Sequence, residues 1–337
     1  MKLRVLFFIL AVLPVVCLGA VDGAAQVLGD SNVKASVPFP GFPEGIAVQG
    51  NRFYVSGPAA LGFPPGSAYV QAYDIATGAP TAFYPITISN PFAGISAAVC
   101  AAFGPDGKLY VIEPFVGVIR MELDAANTQS VYASFPPSAS SLLNDLTFDG
   151  AGNLYVTDSF AATIYRVPAG GGTPSVWFTN PALVGHPSVG VGVNGIRIDK
   201  NNKFVYFSVT VNTDFNGVIY RLPLVANPAA ADLQLFASLG VTGPDGIAFG
   251  KSGKLYIAEA LSSTIKVLRT DGTVEAVYSG PALNLPSASV PWANPANIAF
   301  DRGGRLLVTN HAQLVPYNPS LFVIFDVYVN DKGQPLP

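Results

Sequence analysis

Four oxygen-bearing side chains recur at one position of a repeated sequence pattern. The pattern is a five-residue segment that ends in an apolar residue, and its six copies begin at Glu44, Val99, Asn144, Asn194, Asp245 and Ala296. Two carboxylates buried near each other are costly unless a cation neutralises them. Since this set contains no His or Cys, its oxygen donors favour a hard cation, calcium first and magnesium second. The sequence therefore predicts a site for one divalent cation, with Zn²⁺ as a further candidate.

Turn capping is the alternative interpretation of the same residues. Asn and Asp before a strand often only hydrogen-bond to the backbone of a turn. Pro105-Asp106-Gly107 repeats the tripeptide Pro244-Asp245-Gly246 but falls in the hairpin after the first strand, so we interpret it as a turn. The shared register of the four residues is what favours a binding site.

The elements that must position these residues are repeated short strands. The six segments start 55, 45, 50, 51 and 51 residues apart. After each come a polar turn and a second alternating segment, such as Asn153-Leu-Tyr-Val156 and Lys254-Leu-Tyr-Ile257, and third and fourth strand patterns follow in several repeats. Four short strands at a period near fifty residues are typical of a β-propeller blade. The sequence predicts an all-β, six-bladed β-propeller with four antiparallel strands per blade, in one domain over residues 26–337.

The ends of the chain predict how the ring closes. Residues 33–39 resemble a fourth strand but precede the first repeat, whereas residues 321–329 resemble a third strand with no fourth after them. We expect the N-terminal strand to complete the sixth blade, which would remove an open sheet edge. The first strand of each blade then lines the central channel, with the six segment starts around one end of it.

Composition excludes several classes of protein. Charged residues are 12% of the 337, and the net charge is -3, so no basic excess exists to neutralise nucleic-acid phosphates. The 34 Gly and 29 Pro exclude a coiled coil, and 22 Phe with 14 Tyr argue against disorder. We expect a monomer that acts on a small molecule.

The first 25 residues have the layout of a cleaved signal peptide. Lys2 and Arg4 precede an apolar stretch over residues 5–16, and cleavage after Gly19 or after Ala25 fits the small-residue rule. The sequence contains no second long apolar run, so we expect no membrane span in a mature protein that is secreted or periplasmic. Cys100 would then be the one remaining cysteine, and a buried core thiol is favoured over a reactive one.

The repeated motifs resemble those of the senescence marker protein/regucalcin/gluconolactonase (LRE-like) family of six-bladed propellers. The resemblance covers nearly the whole mature chain, and the elements that carry it are Pro43-Glu44-Gly45, Asn144-Asp145, Asn194-Gly195 and Pro244-Asp245-Gly246. It implies that Glu44, Asn194 and Asp245 bind one divalent metal, that Asn144 holds substrate or a metal-bound water, and that Asp245 is also the general base. Members hydrolyse sugar lactones, so the resemblance implies a metal-dependent lactonase or esterase.

One departure from the family pattern bears on the substrate. The sugar-lactonase branch usually has Arg two residues before the Asn144 equivalent, and this chain has Leu142 there. Together with Val99 and Ala296 in the ring of six, this favours a substrate more apolar than gluconolactone. Asp145, Asn297 and His311 are secondary candidates for the site.

Two other functions remain open at the level of sequence. One is a non-catalytic propeller that binds a ligand or a protein and holds a structural metal, because the fold alone does not determine function. The other is a strictosidine-synthase-like propeller, which needs no metal. The acidic pair Glu44 and Asp245 argues against this second alternative.

Overall fold

The computed structural model describes residues 26–60, 68–90, 96–135, 138, 140–280 and 290–334. The predicted signal peptide, residues 1–25, lies outside them. The described strands form six four-stranded sheets, each with antiparallel neighbours, which confirms the predicted six-bladed β-propeller. The first strands of successive blades pack against one another around a central channel.

Each blade is built from its innermost strand outwards. Blade 1 contains β2 (Ile46–Gln49), β3 (Arg52–Gly57), β4 (Tyr69–Asp74) and β5 (Pro80–Pro85); blade 2 contains β6 (Cys100–Phe103), β7 (Leu109–Glu113), β8 (Gly117–Met121) and β9 (Gln129–Ser134). Blade 3 contains β10 (Leu143–Phe148), β11 (Leu154–Asp158), β12 (Thr163–Val167) and β13 (Ser175–Thr179); blade 4 contains β14 (Val193–Ile198), β15 (Phe204–Val209), β16 (Gly217–Pro223) and β17 (Gln234–Gly240). Blade 5 contains β18 (Pro244–Phe249), β19 (Leu255–Glu259), β20 (Thr264–Leu268) and β21 (Val274–Ser279); blade 6 contains β22 (Pro295–Phe300), β23 (Arg305–Asn310), β24 (Val323–Tyr328) and the N-terminal β1 (Ser31–Ser36).

The N-terminal strand closes the ring, as the sequence predicts. β1 pairs antiparallel with β24, with Ser31 opposite Val327 and Ser36 opposite Val323. β1 begins two residues earlier than predicted and ends before Pro38, because proline has no N–H to donate to a ladder. A single 3₁₀ turn, Pro319–Leu321, precedes β24.

Aromatic contacts join neighbouring blades. The tyrosine of a second strand packs against the phenylalanine that ends the first strand of the next blade, with ring centroids 4.7 to 5.2 Å apart. The pairs are Tyr54 with Phe103, Tyr110 with Phe148, Tyr206 with Phe249, and Tyr256 with Phe300. Such edge-to-face pairs stabilise an interface by about 0.5–1.5 kcal/mol beyond the area that they bury. The repeated Tyr and Phe of the sequence thus hold the ring together.

Helical structure is limited to short turns in the described part of the chain. Two further 3₁₀ turns span Pro181–Leu183 and Ala230–Asp232. None of the described helices has the length and apolarity to cross a bilayer.

Candidate metal centre

The four oxygen-bearing residues lie at the end of the channel where the innermost strands begin, which we call the upper end. In blades 3 to 6 a β-bulge falls on the dipeptide at the start of the segment, where two residues oppose one on the second strand. These dipeptides are Asn144-Asp145, Asn194-Gly195, Asp245-Gly246 and Ala296-Asn297. In blade 1 Glu44 precedes β2, and its N–H donates to the Ser56 carbonyl. Because a β-bulge redirects a side chain, it allows the side chain of the first residue of each segment to face the channel.

Glu44 and Asp245 lie close enough for their charges to interact. Burial raises the pKa of Glu44 well above its usual range, and the carboxylates of Asp245 and Asp145 raise it further. Burial together with the charge of Asp145 raises the pKa of Asp245 to about 8, although a hydrogen bond from the Asn194 side chain opposes the shift. The channel therefore disfavours the ionised form of both carboxyls unless positive charge is supplied.

The Asn194 side chain has an oxygen without a partner. Its Nδ2 donates to Thr210 Oγ1 at 2.9 Å, which fixes the amide, but its buried Oδ1 accepts no hydrogen bond within the described residues. A buried acceptor left without a donor is unfavourable. Amide and carboxylate oxygens are the donors that Ca²⁺ prefers, so Glu44, Asn194 and Asp245 fit a hard cation in chemistry. Among the described residues, no group of three or more His, Cys, Asp and Glu side chains is placed to hold a metal. The candidate set has two carboxyls and therefore needs the amide oxygen of Asn194 as its third ligand.

Buried hydroxyls of the preceding blade fix the backbone of these same three residues. Each hydroxyl donates to the main-chain carbonyl of one candidate ligand: Thr157 to Asn194 at 2.7 Å, Ser208 to Asp245 at 2.8 Å, and Thr309 to Glu44 at 3.0 Å. The equivalent residues in the other blades are Ser56, Ile112 and Ala258. The buried Ser56 hydroxyl is without a partner in the described structure. We call Thr157, Ser208 and Thr309 the clamp hydroxyls.

The glycine that follows each of these three residues is required by close packing between blades. A Cβ on Gly45 would collide with the Ser56 side chain and with the backbone at the start of β6. A Cβ on Gly195 would collide with the Asp245 backbone, and one on Gly246 with the Asn297 side chain. The Glu-Gly, Asn-Gly and Asp-Gly pairs of the sequence thus combine a candidate ligand with a position where the next blade leaves no room.

Asp145, a secondary candidate, is already saturated with donors. It accepts from Cys100 Sγ at 2.8 Å, Leu146 N at 2.8 Å, Ile196 N at 3.0 Å and Arg197 Nη1 at 2.7 Å. Its carboxylate therefore acts on Glu44 and Asp245 through its charge. The Cys100 thiol that makes this contact is fully buried, as the sequence predicts. Burial and the charge of Asp145 both raise the pKa of this thiol.

Arg197 extends from blade 4 into the channel and contacts residues of two other blades. At its position in the repeat the other blades have the small residues Ala47, Ala102, Thr147, Ala248 and Ala299. The Arg197 guanidinium reaches Asp145 in blade 3, and it comes within 3.5 Å of Asn297 Oδ1 in blade 6. Five small residues make room for this one long side chain. Sequence reasoning missed Arg197, although an arginine in a column of small residues was a visible signal.

The remaining candidates lie at the same end of the channel. Asn144 is buried beside Asp145 at the start of β10. Asn297 Oδ1 accepts a hydrogen bond from Ile298 N at 2.9 Å. This bond holds the Asn297 side chain against the backbone of its own bulge. His311 follows β23 and packs edge-on against Phe42, with ring centroids 6.3 Å apart. Burial lowers the pKa of His311 to about 4, and its buried Nε2 has no hydrogen-bond partner in the described structure.

Comparison with known proteins identifies relatives of this fold. A family model described as the SMP-30/gluconolactonase/LRE-like region matches residues 66–311. A calcium-binding regucalcin from Agrobacterium tumefaciens is similar in structure, with a TM-score of 0.66 and 20% identity over 90% of this chain and 95% of that one. A gluconolactonase from Xanthomonas campestris gives a TM-score of 0.60 and 16% identity over 91% and 89% of the two chains. No curated protein matches the chain.

Proposed function

Because the chain belongs to the SMP-30/gluconolactonase/LRE-like family, we propose that it is an exported, divalent-metal-dependent hydrolase that opens a lactone or a related ester. The observation that carries the metal dependence is the joint placement of two carboxyls with raised pKa and one unpartnered amide oxygen at the upper end. A cation bound there would remove the repulsion between Glu44 and Asp245. It would also give Asn194 Oδ1 the partner that it lacks.

Each proposed role follows from the surroundings of the residue. Glu44, Asn194 and Asp245 would hold the cation, which we propose to be Ca²⁺. When bound, such an ion polarises a lactone carbonyl and acidifies water. Asp245 would take the proton from the attacking water, since the cation would keep its carboxylate ionised beside that water. Asn144, in the same register, would orient the substrate.

The substrate that we propose has an apolar portion. Leu142 lies half-buried just before β10, and its N–H donates to Asp158 Oδ1 at 2.8 Å. An aliphatic side chain in this place offers no charge to a sugar acid. Buried His311 would remain neutral near pH 7 and could accept a proton at its free Nε2.

The test measures metal binding and turnover separately. We expect millimolar Ca²⁺ to raise the unfolding midpoint of EDTA-treated protein, since a ligand bound only by the native state stabilises it by about 2.7 kcal/mol at 100 times its dissociation constant. Glu44→Gln should lose this effect, and Asp245→Asn should lose hydrolysis of a panel of lactones and esters. Asp106→Asn is the matched control, because the same Pro-Asp-Gly tripeptide there caps a hairpin. It should keep both properties.

Two outcomes would contradict the proposal in different ways. If no divalent cation shifts the midpoint, the ring of oxygens serves turn capping. If Ca²⁺ stabilises the protein and Glu44→Gln abolishes that effect, but the wild type hydrolyses none of the panel, the non-catalytic propeller with a structural metal replaces the hydrolase.

A further inference from the structure

A cavity of about 970 Å³ opens at the other end of the channel, where the innermost strands finish. We call it the lower cavity. Its walls are mainly apolar and include the last residues of the six repeated segments, which are Val48, Phe103, Phe148, Ile198, Phe249 and Phe300. Ligand pockets of proteins are concave, predominantly apolar, and about 300–1,000 Å³ in volume. The lower cavity meets these conditions.

The rim of the lower cavity is basic. It carries Lys200, Lys251, Arg302 and Lys332, all exposed, and none of the four forms a salt bridge within the described residues. This concentration of cations is unusual in a chain with a net charge of -3. The rim would attract an anion, because its four cations outnumber the two carboxylates of the cavity lining, and an excess of one charge around a cleft focuses the field.

The two acidic residues of the cavity lining are engaged in hairpin turns. Asp199 Oδ1 accepts the N–H groups of Lys203 and Phe204 at 2.7 and 2.8 Å. Asp301 Oδ1 accepts those of Gly303 and Arg305 at 2.7 and 2.9 Å. They orient the loops that carry the basic residues and do not pair with them.

Residues 332–334 form one preformed wall of the cavity. Gln334 N donates to the Phe249 carbonyl at 3.0 Å, and Gln334 Nε2 donates to the Ile198 carbonyl at 3.1 Å. Lys251 N donates to the Lys332 carbonyl at 2.5 Å. These bonds tie the segment to blades 4 and 5, so a ligand would not have to order this wall.

Arg197 lines the lower cavity, whereas the candidate ligands Glu44, Asn194 and Asp245 do not. The Arg197 side chain is 20% exposed, and its charge is paired with Asp145 at 2.7 Å. The unpaired cations of the rim therefore face a compartment of their own. A ligand in this compartment would be distinct from the substrate at the upper end.

We propose that the lower cavity binds an amphiphilic anion, a carboxylate with an unbranched apolar chain. The chain would lie against the aromatic and aliphatic walls, where burial of apolar surface is favourable. The carboxylate would lie at the rim between Lys251 and Arg302. Neither part suffices alone, because rim cations exposed to water bind an isolated anion weakly.

Calorimetric titration of the full chain with decanoate tests the proposal. We expect saturable binding of decanoate, and none of acetate, which lacks the chain, or of decylammonium, which reverses the charge. The double variant Lys251→Glu, Arg302→Glu should bind decanoate about tenfold more weakly or worse, since like charges across an interface repel. Arg52→Glu is the matched control, because Arg52 is exposed and outside the cavity lining, and it should bind as the wild type does. Glu44→Gln should also bind normally.

Several results would overturn the assignment. Equal binding of decanoate and decylammonium would show that the rim has no role, and an unchanged double variant with intact circular dichroism would place the ligand elsewhere. Loss of decanoate binding in Glu44→Gln would place it at the upper end. Sedimentation with phosphatidylglycerol vesicles, with no binding of free decanoate, would show that the basic rim serves a membrane surface instead.

Discussion

Removing the Asp245 charge should stabilise the metal-free protein at alkaline pH. Each pKa unit corresponds to about 1.4 kcal/mol, and the pKa of Asp245 rises from 3.8 to about 8 on folding. Ionising this carboxyl in the folded, metal-free protein therefore costs about 6 kcal/mol at most, and relaxation of the channel reduces this cost to a few kcal/mol. Asp245→Asn removes that cost.

The sign of the pH dependence follows from proton binding. A carboxyl with a raised pKa binds more protons in the folded state than in the unfolded state, so the free energy of unfolding falls as pH rises between 3.8 and about 8. We expect Asp245→Asn in EDTA to match the wild type near pH 4 and to exceed it progressively up to pH 8. Urea unfolding followed by tryptophan fluorescence at four pH values measures the difference.

Asp106→Asn gives the opposite sign and serves as the control. Burial alone would raise the pKa of Asp106, but hydrogen bonds from Lys108 and Tyr110 hold this pKa below its usual value. Its ionised form therefore stabilises the fold above pH 4, and Asp106→Asn should be destabilised there. If Asp245→Asn is less stable than the wild type at pH 8 in EDTA, or if its gain is independent of pH, the electrostatic description of the upper end is wrong.

Three further predictions concern the supports of the site. Ser208→Ala should lose about 1 kcal/mol of stability and bind Ca²⁺ more weakly in a thermal-shift titration, whereas Ser56→Ala, which removes an unpartnered hydroxyl, should change neither. Gly195→Ala should destabilise the protein by about 2 kcal/mol or more in urea unfolding, because its Cβ would meet backbone of the next blade; equal stability would show that the blades yield. His311→Gln should leave the fold intact and change the pH profile of kcat for a hydrolysed lactone, and an unaltered profile would exclude His311 from proton transfer.

The fold was accessible from the sequence because each blade repeats the same local pattern. Alternating strands, Gly-rich hairpins and a period near fifty residues specify a blade without any knowledge of its neighbours. The closing strand was accessible for the same reason, since the sixth repeat lacks a fourth strand. The bounds shifted by a few residues, as at β1, because Pro38 ends the ladder.

The hydrogen bonds that position the candidate ligands were harder to predict, because they join residues of different blades. The bond from Ser208 to Asp245 joins residues 37 positions apart, and the bond from Arg197 to Asp145 spans 52. A local pattern shows that Ser208 lies in a strand and has a hydroxyl, but it does not show to which carbonyl that hydroxyl donates. Aligning the repeats by column would have exposed both features, since the clamp hydroxyls precede the blades whose segments begin with candidate ligands.

The closure of the ring by β1 has a consequence for the order of assembly. Thr309, near the end of the chain, holds the carbonyl of Glu44, near its beginning, across a separation of 265 residues. Contacts this distant in sequence form late, because a long loop must close first. Five blades can fold from consecutive sequence, but the Glu44 carbonyl gains its bond from Thr309 only when blade 6 packs against blade 1. Cation binding that needs Glu44 would then follow ring closure, and a bound ion would oppose reopening of the one seam at which the two ends of the chain meet.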